Sequence, residues 1–111
     1  MSLQETVYNA LINLNLPTVK YFNEYSGDYP ILVYQEISNV PAFHADDKET
    51  TRRVIYQISI GTDDGNYSVL EKSVEEIMYN LGFMRVDSQD IFDKVFWRVI
   101  RFSILEVIQD G

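Results

Sequence analysis

The sequence predicts an α+β fold, a largely antiparallel β-sheet of about four to six strands with two α-helices packed on one face. Two segments repeat apolar residues at helical spacing, several others alternate apolar and polar residues, and the alternating segments cluster instead of interleaving with helices. The 111 residues are expected to form a single domain, 1–111, with no internal repeat and no Ser/Gly-rich linker. A chain of this size buries roughly two thirds of its unfolded surface, enough for a core without staples.

The first helix is expected over Leu3 to Leu14, where Leu3, Val7, Ala10, Leu11 and Leu14 make one stripe. Ser2 and Glu5 have capping-box spacing, and Asn15 with Pro17 ends the helix. Extended stretches follow at Thr18 to Phe22 and Ile31 to Ile37, separated by a run of turn formers from Asn23 to Pro30. Ser38 to Thr50 is polar and reads as a long exposed loop. Thr51 to Ile60 is the clearest strand, with Val54, Tyr56, Ile58 and Ile60 on one face.

After the turn Gly61 to Asn66, a second helix begins at Ser68, whose spacing to Glu71 repeats the capping box. Leu70, Val74, Ile77, Met78 and Leu81 form its apolar stripe, and Gly82 sits where a left-handed C-terminal residue is wanted. Phe83 to Val86 reads as a short strand and Asp87 to Asp90 as a turn. Phe92 to Val107 is one long extended run. At about 3.3 Å per residue that run would reach about 50 Å, against a body only ~35 Å across. It must bend, break into two strands, or project.

Hydrophobic residues make up 46% of the chain, aromatic 14% and charged 23%, as in ordinary globular proteins. Nine Lys and Arg against seventeen Asp and Glu leave a net charge of −8. That sign argues against a protein that tracks nucleic-acid phosphates and against docking on anionic membranes. The absence of cysteine excludes disulfides, zinc thiolates and thiol nucleophiles. No apolar run approaches the ~18 residues of a membrane span, and no basic-then-apolar leader is visible, so the expectation is a soluble protein.

Catalytic signals are weak, and no catalytic, metal or cofactor residue is assigned. His44 lies in the loop beside Asp46 and Asp47, without a nucleophile motif nearby. Thr62-Asp63-Asp64-Gly65-Asn66 lacks the alternating ligands of a calcium loop and reads as a turn. Gly61 and Gly65 make no phosphate cradle. Strand parity sends Arg52 and Arg53 to opposite faces, and Arg98 and Arg101 likewise, where each is expected to pair with nearby acids.

The last run carries apolar residues on both faces. Phe96, Ile100, Phe102 and Ile104 can face the helices, while Val95, Trp97 and Val99 need another cover. A loop holding Phe43, the chain's own core, or a second subunit could supply it.

Several stretches run in a fixed order: Leu14-x-Leu16-Pro17, Tyr29-Pro30-Ile31-Leu32-Val33-Tyr34, Pro41 with Ala45-Asp46, Arg53-Val54-Ile55-Tyr56-Gln57-Ile58-Ser59-Ile60, Leu81-Gly82-Phe83-Met84-Arg85, and Trp97-Arg98-Val99-Ile100-Arg101-Phe102-Ser103-Ile104. That order resembles the small tail-completion (tail-terminator, tail-to-head joining) proteins of long-tailed bacteriophages and prophages. The resemblance implies a non-enzymatic, cofactor-free protein that forms a homo-oligomeric ring, commonly a hexamer, at the head-proximal end of the virion tail. Its implied partners are the tail tube protein and the head–tail connector, with DNA passing through unbound, and assembly takes place in the host cytoplasm. On this reading Val95, Trp97 and Val99 meet a neighbouring subunit. The Ser38 to Thr50 loop, with Phe43, His44 and Asp46, and the Arg52–Arg53 pair meet subunits or partners. The competing reading is a monomeric or dimeric adaptor that binds a protein through an exposed sheet edge.

Overall fold

The computed structural model describes residues 2–20, 29–45 and 48–107, with the backbone alone at 19, 42–45 and 48–50. Helix α1 (Leu3–Leu11) starts at Ser2, whose hydroxyl accepts a hydrogen bond from the Glu5 N–H at 3.1 Å. The last turn of the predicted helix tightens to 3₁₀ geometry over Ile12–Leu14, and Asn15 ends it at φ 59°. Strand β1 is short (Thr18–Val19); Tyr21, Phe22 and the turn formers 23–28 lie outside the described residues.

The chain continues through β2 (Ile31–Ala45), β3 (Lys48–Thr62), α2 (Ser68–Asn80), β4 (Met84–Asp93) and β5 (Val95–Val107). The sheet order is β1-β2-β3-β5-β4. All neighbouring strands are antiparallel except β1, which runs parallel to β2. The fold is α+β.

Both helices cover one face of the sheet. Val7 and Leu11 of α1 and Val74 and Met78 of α2 are buried against Leu32, Tyr34, Val54, Tyr56, Ile58, Ile60, Ile100 and Phe102. The period-two alternation of β3 is what aims its four large residues into this layer. Phe83 closes the far side, edge-on to Tyr56 at 5.8 Å. Helix α2 ends in a Schellman motif: Phe83 N–H donates to Met78 O and Gly82 N–H to Tyr79 O, with Gly82 at φ 99°.

Three expectations need correction. Ser38 to Thr50 is not a loop. Strand β2 runs on to Ala45 and β3 starts at Lys48, the two joined by a ladder that includes Val40↔Arg53 and Pro41↔Arg52. Asp87 to Asp90 is not a turn but the middle of β4, paired with Arg101, Ile100, Val99 and Arg98. The chain reverses at Lys94 instead, at φ 65°. Finally, Ser68 caps nothing: the residue before α2 is Tyr67, and no side chain bonds to the helix start.

The long final run is resolved by both a break and a projection. It breaks at Lys94, and β5 extends beyond the helices beside β3, making a molecule of 52 × 25 × 24 Å. Two strands of fifteen residues each, β2 and β3, span about 50 Å and set that long axis.

Candidate functional site

The face turned away from the helices carries the surface that chemistry must explain. Its centre is sealed within the chain. Ile31, Gly61 and Trp97 form one cross-strand row, and a Cβ at Gly61 would lie 2.7 Å from Trp97 Cζ3 and 2.9 Å from Ile31 Cγ2. Glycine is required there so that the indole can close over β3 toward β2. In the next row Val33, Ser59 and Val99 are all buried. Val99 is 7% exposed in the isolated chain, so its side chain is already used in packing and offers little to a neighbour. Val95 and Trp97 are half-buried.

Exposed apolar side chains stand at both ends of the sheet, besides Tyr8, Ile12, Val69 and Tyr79 on the helical segments and Ile37, Met84 and Val86 on the strands. At the β4–β5 hairpin tip the Phe92 and Phe96 rings pair at 5.0 Å, with Phe92 68% exposed and Phe96 42%. Phe96 shares the parity of the core residues Ile100 and Phe102, but it packs on Gly65 beyond the helix cover. Ile91 and Trp97 join Phe92, Phe96, Gly65, Tyr67 and Asp90 around an open cleft of about 390 Å³. At the other end β2, β3 and the C-terminal part of β5 form an arm. There Val40 and Leu105 flank Arg53 across the strands, and Val107 pairs with Thr51. Val40, Leu105 and Val107 are exposed.

Between these ends, charges are matched inside the chain. Arg98 donates to Glu71 Oε1 at 3.1 Å and to Asp90 Oδ1 at 3.0 Å, and lies over the Tyr67 ring at 5.4 Å. Tyr67 O–H donates to Asp90 at 2.8 Å. Arg85 donates to Glu75 at 2.6 Å and Arg101 to Asp87 at 3.1 Å. The Tyr67 hydrogen bond, followed by that from Arg98, holds the Asp90 carboxyl below its ordinary value. The same bond to Asp90 raises Tyr67. The expectation that Arg98 and Arg101 pair with nearby acids therefore holds, that for Arg53 does not, since it makes no ion pair among the described residues, and Glu71, read as a capping residue, is an Arg98 partner.

The two sheet edges differ. The outer edge of β2 past β1 carries Pro41 and register shifts at Glu36/Ser38, Pro41/Phe43 and Phe43/His44, devices that discourage added strands. Strand β4 has one shift, at Arg85/Asp87, and then runs regularly to Asp93 with nothing paired to its outer side among the described residues.

Of the remaining predicted residues, Arg52 and Arg53 are exposed at the arm, and alternation sends them to opposite faces. Phe43 and His44 lie on the end of β2, their backbones opposite Thr51 and Glu49; their side chains and the whole of Asp46 lie outside the described residues. Sequence reasoning missed Ile91, Phe92, Asp93 and Phe96 as a surface group, because the hairpin turn between them was read as continuous strand. Among the described residues no three His, Asp or Glu side chains converge on a common point, and no helix is long and apolar enough to cross a membrane. In comparisons with known proteins, no family model and no curated protein matches the chain.

Proposed function

We propose that the chain is a non-enzymatic structural protein that assembles with copies of itself into a ring at the head-proximal end of a long phage tail. There it ends tail growth and joins tail to head. The observation that carries this reading is that two of the exposed apolar groups stand far apart and differ in chemistry: Ile91, Phe92 and Phe96 at the hairpin tip, and Val40, Leu105 and Val107 on the arm of a 52 Å molecule. Two unlike patches favour heterologous contacts, which close into rings when the rotation between copies allows. A net charge of −8 per copy suits a conduit that DNA crosses without sticking.

A second reading is supported by the regular open edge of β4: an adaptor that takes a partner's strand onto that edge. Light scattering across a concentration series separates the two. The ring reading expects one discrete multi-subunit mass, alone or on adding tail tube protein, and a ring in electron micrographs. A stable monomer under both conditions sinks it.

A further inference from the structure

We infer that the cleft at the hairpin tip receives an arginine side chain, and that its occupant is Arg53 of a second copy of this chain. This deepens the ring reading and rests on it. From α2 to the tip, side chains of alternating sign follow one another: Glu75 to Arg85 at 2.6 Å, Arg85 to Glu71 at 3.7 Å, Glu71 to Arg98 at 3.1 Å and Arg98 to Asp90 at 3.0 Å. Three acids and two cations leave one negative charge, and the series ends on Asp90, whose side chain is 62% exposed. Tyr67 and Arg98 both donate to Asp90 Oδ1, so Oδ2 takes no hydrogen bond among the described residues. Asp90 lines the cleft together with the exposed rings of Phe92 and Phe96. A carboxylate beside aromatic rings suits a planar guanidinium, which donates to the one and lies on the other. Arg98 already does both, with Asp90 and the Tyr67 ring.

Arg85, Arg98 and Arg101 have acids within the chain, whereas Arg53 has no hydrogen bond or ion pair among the described residues. It is exposed and stands in one cross-strand row with Val40 and Leu105, which are exposed too. Within one chain it cannot reach the cleft. Asp90 pairs with Arg98 and Arg53 with Leu105, positions about 23 Å apart along β5 at about 3.3 Å per residue. The two also project to opposite faces of the sheet. Asp90, Phe92 and Phe96 share the alternation of the core residues Ile100 and Phe102, while Arg53 alternates against the core residues Val54 and Tyr56. A second copy therefore docks without turning over: displaced along the long axis, its arm lays Arg53, Val40 and Leu105 over Asp90, Phe92 and Phe96 of the first. Each copy keeps one cleft and one Arg53 for the next, a heterologous contact that closes through rotation.

The test separates the two halves of the contact. Arg53→Glu removes the guest and leaves the cleft; Asp90→Asn removes the charge of the cleft and leaves the guest. In light scattering over a concentration series, each variant alone is expected to need about tenfold more protein than wild type to assemble. Where each alone stays monomeric, an equimolar mixture restores one intact contact per pair, so it is expected to form a dimer of one copy of each and to grow no further. Circular dichroism checks folding, with Arg53→Gln and Phe92→Ala replacing either variant that unfolds. Variants that assemble like wild type, or a mixture that stays monomeric, overturn the contact, while a wild-type ring leaves the ring reading standing. A wild type that grows without a limiting mass, with the mixture still stopping at the dimer, supports the contact and overturns the ring. A wild-type chain that is monomeric throughout overturns the contact.

Discussion

At the scale of single residues, Gly61 is where the fold tolerates least. A methyl group there meets the indole of Trp97 and the side chain of Ile31 at once, inside a covered row. Gly61→Ala should destabilise the chain by about 1–3 kcal/mol, the usual range for overpacking. Chemical denaturation would measure it, and a shift in Trp97 fluorescence should accompany the loss, because the indole has to move. An unchanged midpoint and spectrum would mean that the row is looser than these distances imply. Trp97 thus packs within its own sheet first, and whatever it offers a neighbour is only its outer part.

Among the elements, the join between α2 and the β4–β5 hairpin depends on charge. Asp90 is held low by Tyr67 and Arg98, so its charged form is favoured by folding. A carboxyl depressed in the folded state contributes stability that is complete above its unfolded value and disappears as pH falls through the folded one. Thermal stability should therefore decline as pH falls through and below the ordinary carboxylate range, and Asp90→Asn should flatten part of that slope. Since Asp90 is solvent-exposed, the flattening is expected to be modest. A slope identical in the variant would assign the decline to other carboxylates.

The elements legible in the sequence were those whose pattern is set by the core. The stripe of α2 and the alternation of β3 exist because one side of each is buried under the other. The arm was illegible because its ladder, and no apolar stripe, marks it: residues 38–45 and 48–53 are strand through pairing with one another, and Asn39, Val40, Pro41, Arg52 and Arg53 are exposed without alternation. Pro41 lies within the stretch read as a loop, and on the edge of the sheet its missing donor is tolerated. The acids of β4 looked like turn formers for the same reason, since their order comes from Arg98 and Arg101 across the strands. For the candidate surface, the need for cover on the second face of β5 was visible, while its location at the two ends was not. That depended on how far the helices reach along the sheet.

For the whole molecule, the arm should be separable from folding. The core lies between the helices and the part of the sheet they cover, and none of the described arm side chains beyond Val40 and Arg53 belongs to it. Joining Val40 to Arg53 through an Asn-Gly turn, a favoured two-residue hairpin link, should leave the circular-dichroism spectrum folded and abolish self-association. Loss of the folded spectrum would instead make the arm part of the folding unit.

The distance between tip and arm is fixed by the length of β5, which acts as a measuring rod. Because side chains swap sides at every step, lengthening that rod by one residue would turn one end inside out, and only pairs would keep both ends facing the same way. Each added pair would move the ends apart by about 6–7 Å, so the span between them can change only in steps of that size.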